Sequence, residues 1–588
     1  MRNYFKFLFV LLSVGSLNAN ANDTTKVNKE GSHDFQISKS LDIFNSVVKE
    51  LDLFYVDTIK PEKTVEKGIR YMLSSTDPYT TYFAEREMQD LKFMTTGSYA
   101  GVGAIISVNE KKQVFISEIY EGKPAYKAGL RAGDVFVSVD EVATDGKTTD
   151  AVSKMLRGEP KTITKVVVDR PNKGIVKTDV LRENIIIDPI TYYAMIAPQV
   201  GYICMSSFTD QSYDSFEKAY NSLKSQGMKK LVFDLRDNPG GLLSEATKII
   251  NMFVPKGTKL VYTKGKEKRW NSEYWSTMAP VDTTIPIAVL VSNNSASAAE
   301  IVSGSLQDLD RAVIVGERTY GKGLVQTTRD LPYGGSLKVT ISKYHIPSGR
   351  CIQAIDYAKR DENGTVKRIP DSLTHEFKTA HGRIVRDGCG ISPDVYTPRE
   401  KNAPITYSLY AKNIIFNFVT DHQKNDSKMT SVDDIRITDN IFNDFKEYVK
   451  KSGFTYKTKS EDGLKTLIEI AEKEGMDKYA KAQFDSLKAH LKPNLEAELD
   501  SNKADISKFI AIEMARRNFY QKGAMAQSLK GDNALQQAIN ILQDDKQYKD
   551  LLRKAIVGDE REKQAEAEAH NNKDEENPDE NDDVEEEN

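Results

Sequence analysis

Between about residues 200 and 316 the chain alternates short apolar runs with longer amphipathic stretches, and this alternation restricts the fold more than any other feature. The runs at about 200–205, 230–235, 286–292 and 311–316 have the length and composition of strands. Between them, the stretches at about 212–225, 242–253 and 297–308 carry apolar residues at helical spacing. Strands that alternate with helices predict an α/β core in which ligand chemistry gathers at the strand ends.

Two motifs sit beside those runs: Ser297 within Ser295-Ala-Ser-Ala-Ala-Glu300, and Lys322 within Gly321-Lys-Gly-Leu-Val-Gln326. Together they suggest a serine hydrolase whose base is lysine. Free lysine, with a pKa of about 10.4, is protonated at neutral pH, so burial among residues such as Val315, Leu324 and Val325 must lower it toward the range where general bases work. A three-unit shift is roughly 4 kcal/mol, which an ordered, dry pocket must supply.

Each motif has a plainer reading. Ser-Ala-Ala-Glu ahead of Ile301, Val302 and Leu306 is also a capping box, with Ser297 as the cap and Glu300 reaching back to its amide. The two roles are compatible, because a helix N-terminus favours developing negative charge. Gly316-Glu-Arg-Thr-Tyr-Gly321-Lys322 looks like a phosphate-binding P-loop, but position 323 is Gly where Ser or Thr belongs, and strands follow where a helix is required.

A third segment, Leu231-Val-Phe-Asp-Leu-Arg-Asp-Asn-Pro-Gly-Gly241, reads as a strand, a turn and a following helix. Its glycines permit close approach of the backbone, and amides at a helix start can face an oxyanion. As an ordinary tight turn it needs no such role.

In this order the three segments resemble the carboxyl-terminal processing proteases, also called tail-specific proteases. The resemblance implies a crotonase-like α/β serine protease core in which Ser297 attacks, Lys322 is the base and Gln326 orients the lysine. It places the oxyanion donors at the amide of Ala298 and at Gly240 or Gly241. Ala299 departs from the serine that many relatives carry. Upstream, Gly97-Ser-Tyr-Ala-Gly-Val-Gly-Ala104, Pro124-Ala-Tyr-Lys-Ala-Gly-Leu-Arg-Ala-Gly-Asp134 and Leu156-Arg-Gly resemble a PDZ domain. That implies a groove for a chain end, with the terminal carboxylate on the amides of Val102, Gly103 and Ala104 and with Ala151 and Val152 beside it on a helix from about Thr148 to Leu156.

The expected organisation is multidomain: a signal peptide over 1–21, an N-terminal helical domain over 36–95, an inserted PDZ domain over 96–183, the α/β protease core over 184–400, a C-terminal helical domain over 401–557 and an acidic tail over 558–588. The signal peptide rests on Arg2, Lys6, the apolar run Phe7 to Val14 and Ala19-Asn-Ala21, a run shorter than a membrane span, so an exported protein is expected, periplasmic or secreted and without a transmembrane segment. Asp77-Pro-Tyr-Thr-Thr-Tyr82 is similar to a segment that precedes the PDZ domain in the same proteases and is assigned a packing role. Past Gly558 there are fifteen acidic residues and three basic ones, which reads as disordered and solvated.

Cys204 reads as a small apolar strand residue, while Cys351 and Cys389 fall in segments that pack together in the family, so a disulfide and free thiols both stand open. No metal-type spacing links the cysteines with His345, His375 or His381, and no local signature of a Ser-His-Asp triad appears. The resemblance thus implies a serine endopeptidase that recognises protein carboxyl termini through the PDZ domain and cleaves exported or unfolded proteins by Ser-Lys acyl-enzyme catalysis, without cofactor, metal or nucleic acid. Two rivals are a noncatalytic binding protein on the same core and a PDZ adaptor of the cell envelope.

Overall fold

The computed structural model describes residues 33–361, 364–422, 429–491 and 494–553. The expected signal peptide and acidic tail lie outside the described residues. The chain divides between Ser75 and Thr76 into two compact units. In the first, the helices His33–Phe54 and Pro61–Ser74 follow the helical spacing of the sequence, and Pro61 opens the second helix, where its missing N–H costs nothing. Asp77–Tyr82, expected to belong with these helices, falls in the second unit.

The second unit is built around a six-stranded sheet in the order Ile190–Ala197, Val200–Met205, Lys230–Asp234, Ile287–Val291, Val313–Gly316 and Val395–Tyr396. The first pair is antiparallel and the rest are parallel. Parallel strands covered on both faces must be apolar on both, which is why Leu231-Val-Phe and Ile287-Ala-Val-Leu-Val are unbroken runs. Leu231, Phe233, Ile287, Val289 and Val291 pack on one side with the helices Ser212–Ser225, Leu243–Asn251 and Ala298–Asp308. Val232, Ala288 and Leu290 face the other side, where the helix Asn533–Gln543 covers them through Leu535, Ala538, Ile541 and Leu542.

The C-terminal helices thus divide their work. Those from Pro404–Ala411 to Lys503–Ser528 include the residues of a separate core around Phe418, Phe442 and Phe445, whereas Asn533–Gln543 and Asp545–Arg553 complete the layered α/β core. Arg236 anchors this cover by pairing with Asp234 at 2.6 Å and Asp532 at 2.7 Å.

A second sheet lies in the same unit, ordered Thr81–Phe83, Ser336–His345, Lys259–Gly265 and Glu273–Trp275, with Leu324–Asp330 also paired to Ser336–His345. A third runs Ala104–Val108, Val114–Ile119, Val135–Val139, Ile163–Arg170 and Gly174–Leu181. Ala104–Val108 is its edge strand, with the helix Thr149–Leu156 nearby and Thr148 Oγ1 accepting from Ala151 N at that helix's start.

Candidate active site

Ser297 is the N-cap of the helix Ala298–Asp308 and follows the buried strand Ile287–Val291. Its φ of 55° and ψ of −115° are rarely adopted by an L residue, so the turn between strand and helix is strained at this serine. Its side chain makes no cap hydrogen bond, while the reach-back of the capping box is present: Glu300 Oε2 accepts from Ser297 N at 2.8 Å.

Glu300 does more than cap. Its fully buried carboxylate also accepts from Lys322 N at 2.9 Å, Gly321 N at 2.7 Å and Thr319 Oγ1 at 2.5 Å. Burial pushes this carboxyl above its ordinary range, and those four donors oppose the push. On the opposite polarity, the buried Tyr344 hydroxyl lies 2.8 Å from Lys322 O and 3.3 Å from Ser297 O and donates its single proton to that pair of carbonyls. One carboxylate thus gathers the amides of the serine and lysine segments, and one phenol gathers their carbonyls.

Lys322 lies in the loop ahead of the strand Leu324–Asp330, with its Nζ 4.3 Å from the centre of the Tyr79 ring. Burial lowers its pKa to about 8, with the like charge of Lys338 adding to the effect and the carboxylates of Glu300 and Asp77 opposing it. Gln326 Nε2 donates to Thr340 Oγ1 on the neighbouring strand at 3.1 Å.

The Asp237–Gly241 turn closes on the same helix start. A Cβ at Gly240 would stand 2.6 Å from Ser297 Cβ and 2.8 Å from Ala298 N, and one at Gly241 would stand 2.1 Å from Phe208 O, so neither position admits a side chain. Gly240 N donates to Asn238 Oδ1 at 2.8 Å, and the buried Asn238 amide donates in turn to Met205 O at 2.8 Å.

In the edge-strand sheet, Val102 is buried and its carbonyl accepts from Ala125 N at 2.7 Å. Gly103 has a φ of 76° and accepts from Tyr120 N, and Ala104 opens the edge strand. Ala151 is partly exposed on the helix Thr149–Leu156, whereas Val152 is fully buried in the sheet's core. All three cysteines are free. Cys351 and Cys389 do lie on adjoining segments, with Gly388 N donating to Cys351 O at 2.9 Å, but both remain thiols. Cys204 is half-buried in its strand, and burial pushes its thiol up to about 12.

Sequence reasoning passed over Tyr344 and Thr319 and gave Glu300 and Tyr79 only local roles. The Thr319 signal was its place in the lysine loop; Tyr344 carried none, because one tyrosine in an alternating strand looks like any other.

Three family models match the chain: peptidase family S41 over 199–359, the PDZ domain over 115–170, and the C-terminal helical domain of a probable PDZ-protease over 405–542. The carboxy-terminal-processing protease of Bartonella bacilliformis is 31% identical over 326 residues, covering 54% of this chain and 73% of that protein. The carboxyl-terminal-processing protease of Picosynechococcus sp. is 34% identical over 277 residues, covering 46% of this chain and 66% of the relative. A solved structure of a photosystem II D1 C-terminal processing protease aligns at 28% identity over 60% of this chain and 92% of its own, with a TM-score of 0.34.

Proposed function

The chain belongs to the carboxy-terminal processing proteases, PDZ-containing serine peptidases of family S41, and from that premise we propose that it cleaves unfolded proteins by Ser297–Lys322 catalysis after capturing their carboxyl termini. The observation that carries this reading is the shared cradle: Glu300 and Tyr344 each bond to the backbone of both residues, which two unrelated surface motifs would not need.

Ser297 Oγ attacks the scissile carbonyl carbon as its proton passes to neutral Lys322 Nζ. The oxyanion is held by the amides of Ala298 and Gly241, since Gly240 N is committed to Asn238. The Lys322 ammonium then protonates the leaving amine, and the neutral amine activates the water that releases the acyl group. The substrate tail adds as a strand along the edge Ala104–Val108, its carboxylate on the Val102–Ala104 turn. Export through Met1–Ala21 is part of the proposal; among the described residues no helix is long and apolar enough to cross a membrane.

The test is cleavage of an unfolded reporter bearing an apolar carboxyl-terminal tail by the full chain, beside Ser297→Ala and Lys322→Ala variants first checked for folding. Both variants should lose about 1000-fold or more in kcat/KM. In the parent, kcat/KM should rise with pH through about 8, because only the neutral lysine accepts the serine proton. Undiminished cleavage by either variant overturns the dyad.

A further inference from the structure

The segment Asp77–Phe83 lies far from the catalytic motifs in sequence, yet it enters the site. Asp77 closes a turn by accepting from Tyr79 N and Thr80 N, both at 2.8 Å, and from Thr80 Oγ1 at 3.0 Å. Thr81–Phe83 then pairs antiparallel with Ser336–His345, Thr81 opposite Lys338, and Thr80 Oγ1 accepts from Thr340 N at 3.2 Å. A turn on one side and a strand on the other leave Tyr79 little freedom.

Held there, the Tyr79 ring presents its face to Lys322 Nζ, 4.3 Å from the ring centre. Its hydroxyl meets those of Tyr320, at 3.4 Å, and Tyr357, at 3.3 Å, and the Tyr357 ring stands edge-on to it with centres 5.9 Å apart. Tyr320 comes from the lysine loop itself and Tyr357 from the strand Ile355–Arg360, so three separate segments fix one ring. A packing role alone does not require one hydroxyl to stand within hydrogen-bond reach of two others while its ring covers Lys322.

We propose that Tyr79 is a positioning residue of the peptidase site, its ring lying over Lys322 Nζ to keep water from the amine and fix its direction, with Tyr320 and Tyr357 holding the ring. Two effects of that ring oppose each other. Its face attracts a cation and so favours the ammonium, while its bulk displaces the water that would solvate the charge. Burial by all its neighbours together is the largest influence on Lys322, and we take the ring's share of that burial to outweigh its attraction for the cation. The other charged groups acting on the amine are Lys338 from the strand Ser336–His345, Glu300 from the nucleophile's helix and Asp77 from Tyr79's own turn.

The inference rests on Lys322 as the base, and its test separates the two. Lysine labelled with 13C at Cε is titrated by NMR in the full chain, the Lys322 signal being identified by its absence in Lys322→Arg, and the pH profile of kcat/KM is measured on the same proteins. Tyr79→Ala admits water, so the Lys322 midpoint should rise and the acid limb should follow it, with activity at pH 7 falling about tenfold for each unit of the rise. Tyr79→Phe keeps the ring but loses the hydroxyl that Tyr320 and Tyr357 hold, so the midpoint should rise by less than in Tyr79→Ala. Tyr79→Gln, which keeps bulk but presents a polar amide, should also raise it and serves if Tyr79→Ala does not fold. An unmoved or lowered midpoint in the folded Ala or Gln variant overturns the role given to Tyr79. A raised midpoint together with an unmoved limb, or together with full activity in Lys322→Ala, leaves Tyr79 controlling the amine and overturns lysine as the base.

Discussion

The two ends of the helix Ala298–Asp308 both bury carboxylates that accept from backbone amides, at the far end from Ser348, Ile314 and His381, but only the far end adds arginine partners. At the Ser297 end Glu300 takes three backbone amides and a hydroxyl, all neutral. At the far end Asp308 pairs with Arg350 at 2.8 Å, and Asp310 and Asp394 with Arg383 at 2.6 and 2.5 Å, all essentially without exposure. Arginine pairs neutralise charge and tie distant segments together: here they lash residues 350, 383 and 394 to one helix end. Amide donors leave the carboxylate charged but fix the position of each backbone group that bonds to it. The Ser297 end therefore gains geometry and keeps a negative charge near Lys322, whose pKa of about 8 is a balance of that charge against burial and Lys338.

The largest effect expected from this contrast is at the far end. Arg383→Ala strands two buried carboxylates, so the chain should lose about 3–5 kcal/mol in urea unfolding. A loss under about 1 kcal/mol would mean that the distal network anchors nothing. Next comes Glu300→Gln, which keeps shape but replaces an acceptor oxygen with a donor facing donors. The barrier should rise by about 2–3 kcal/mol, roughly 30- to 150-fold in kcat/KM, because the serine and lysine segments lose their common acceptor. Since the Glu300 charge raises the Lys322 pKa, the acid limb of the same variant should move to lower pH as the rate falls. A limb that stays in place would show that Glu300 acts by position alone.

The motifs at the Ser297 end also stand out in the sequence more than the residues that surround them. Strand-helix alternation located the parallel core, with the helices at 212–225 and 297–308 close to Ser212–Ser225 and Ala298–Asp308. Ser297 and Lys322 stood out because glycine and small-residue motifs mark sharp turns beside strands. Their supports did not, because the contacts are made in space: Tyr344 reaches back to Ser297 from a neighbouring strand, and Tyr79 reaches Lys322 across the second sheet. The Asn533–Gln543 helix shows the same limit. Its spacing announces an apolar face, but spacing carries no information on which partner that face meets, and here it is Val232, Ala288 and Leu290 of the six-stranded sheet.

Tyr344 gives the smallest expected effect and the finest test of the contrast. It is the donor counterpart of Glu300, yet it has one proton for two carbonyls, and the shorter contact, 2.8 Å, goes to Lys322 O. Tyr344→Phe keeps the packing of a ring that is almost wholly buried and removes only the hydroxyl. A hydrogen bond of this kind contributes about 0.5–1.5 kcal/mol, so kcat should fall about 2- to 12-fold with KM unchanged, since no substrate contact is lost. If the rate holds and only the unfolding midpoint drops, Tyr344 belongs with the distal arginines as an anchor. If the rate falls as far as in Glu300→Gln, the two carbonyls matter as much as the three amides, and the Ser297 end is held equally from both sides.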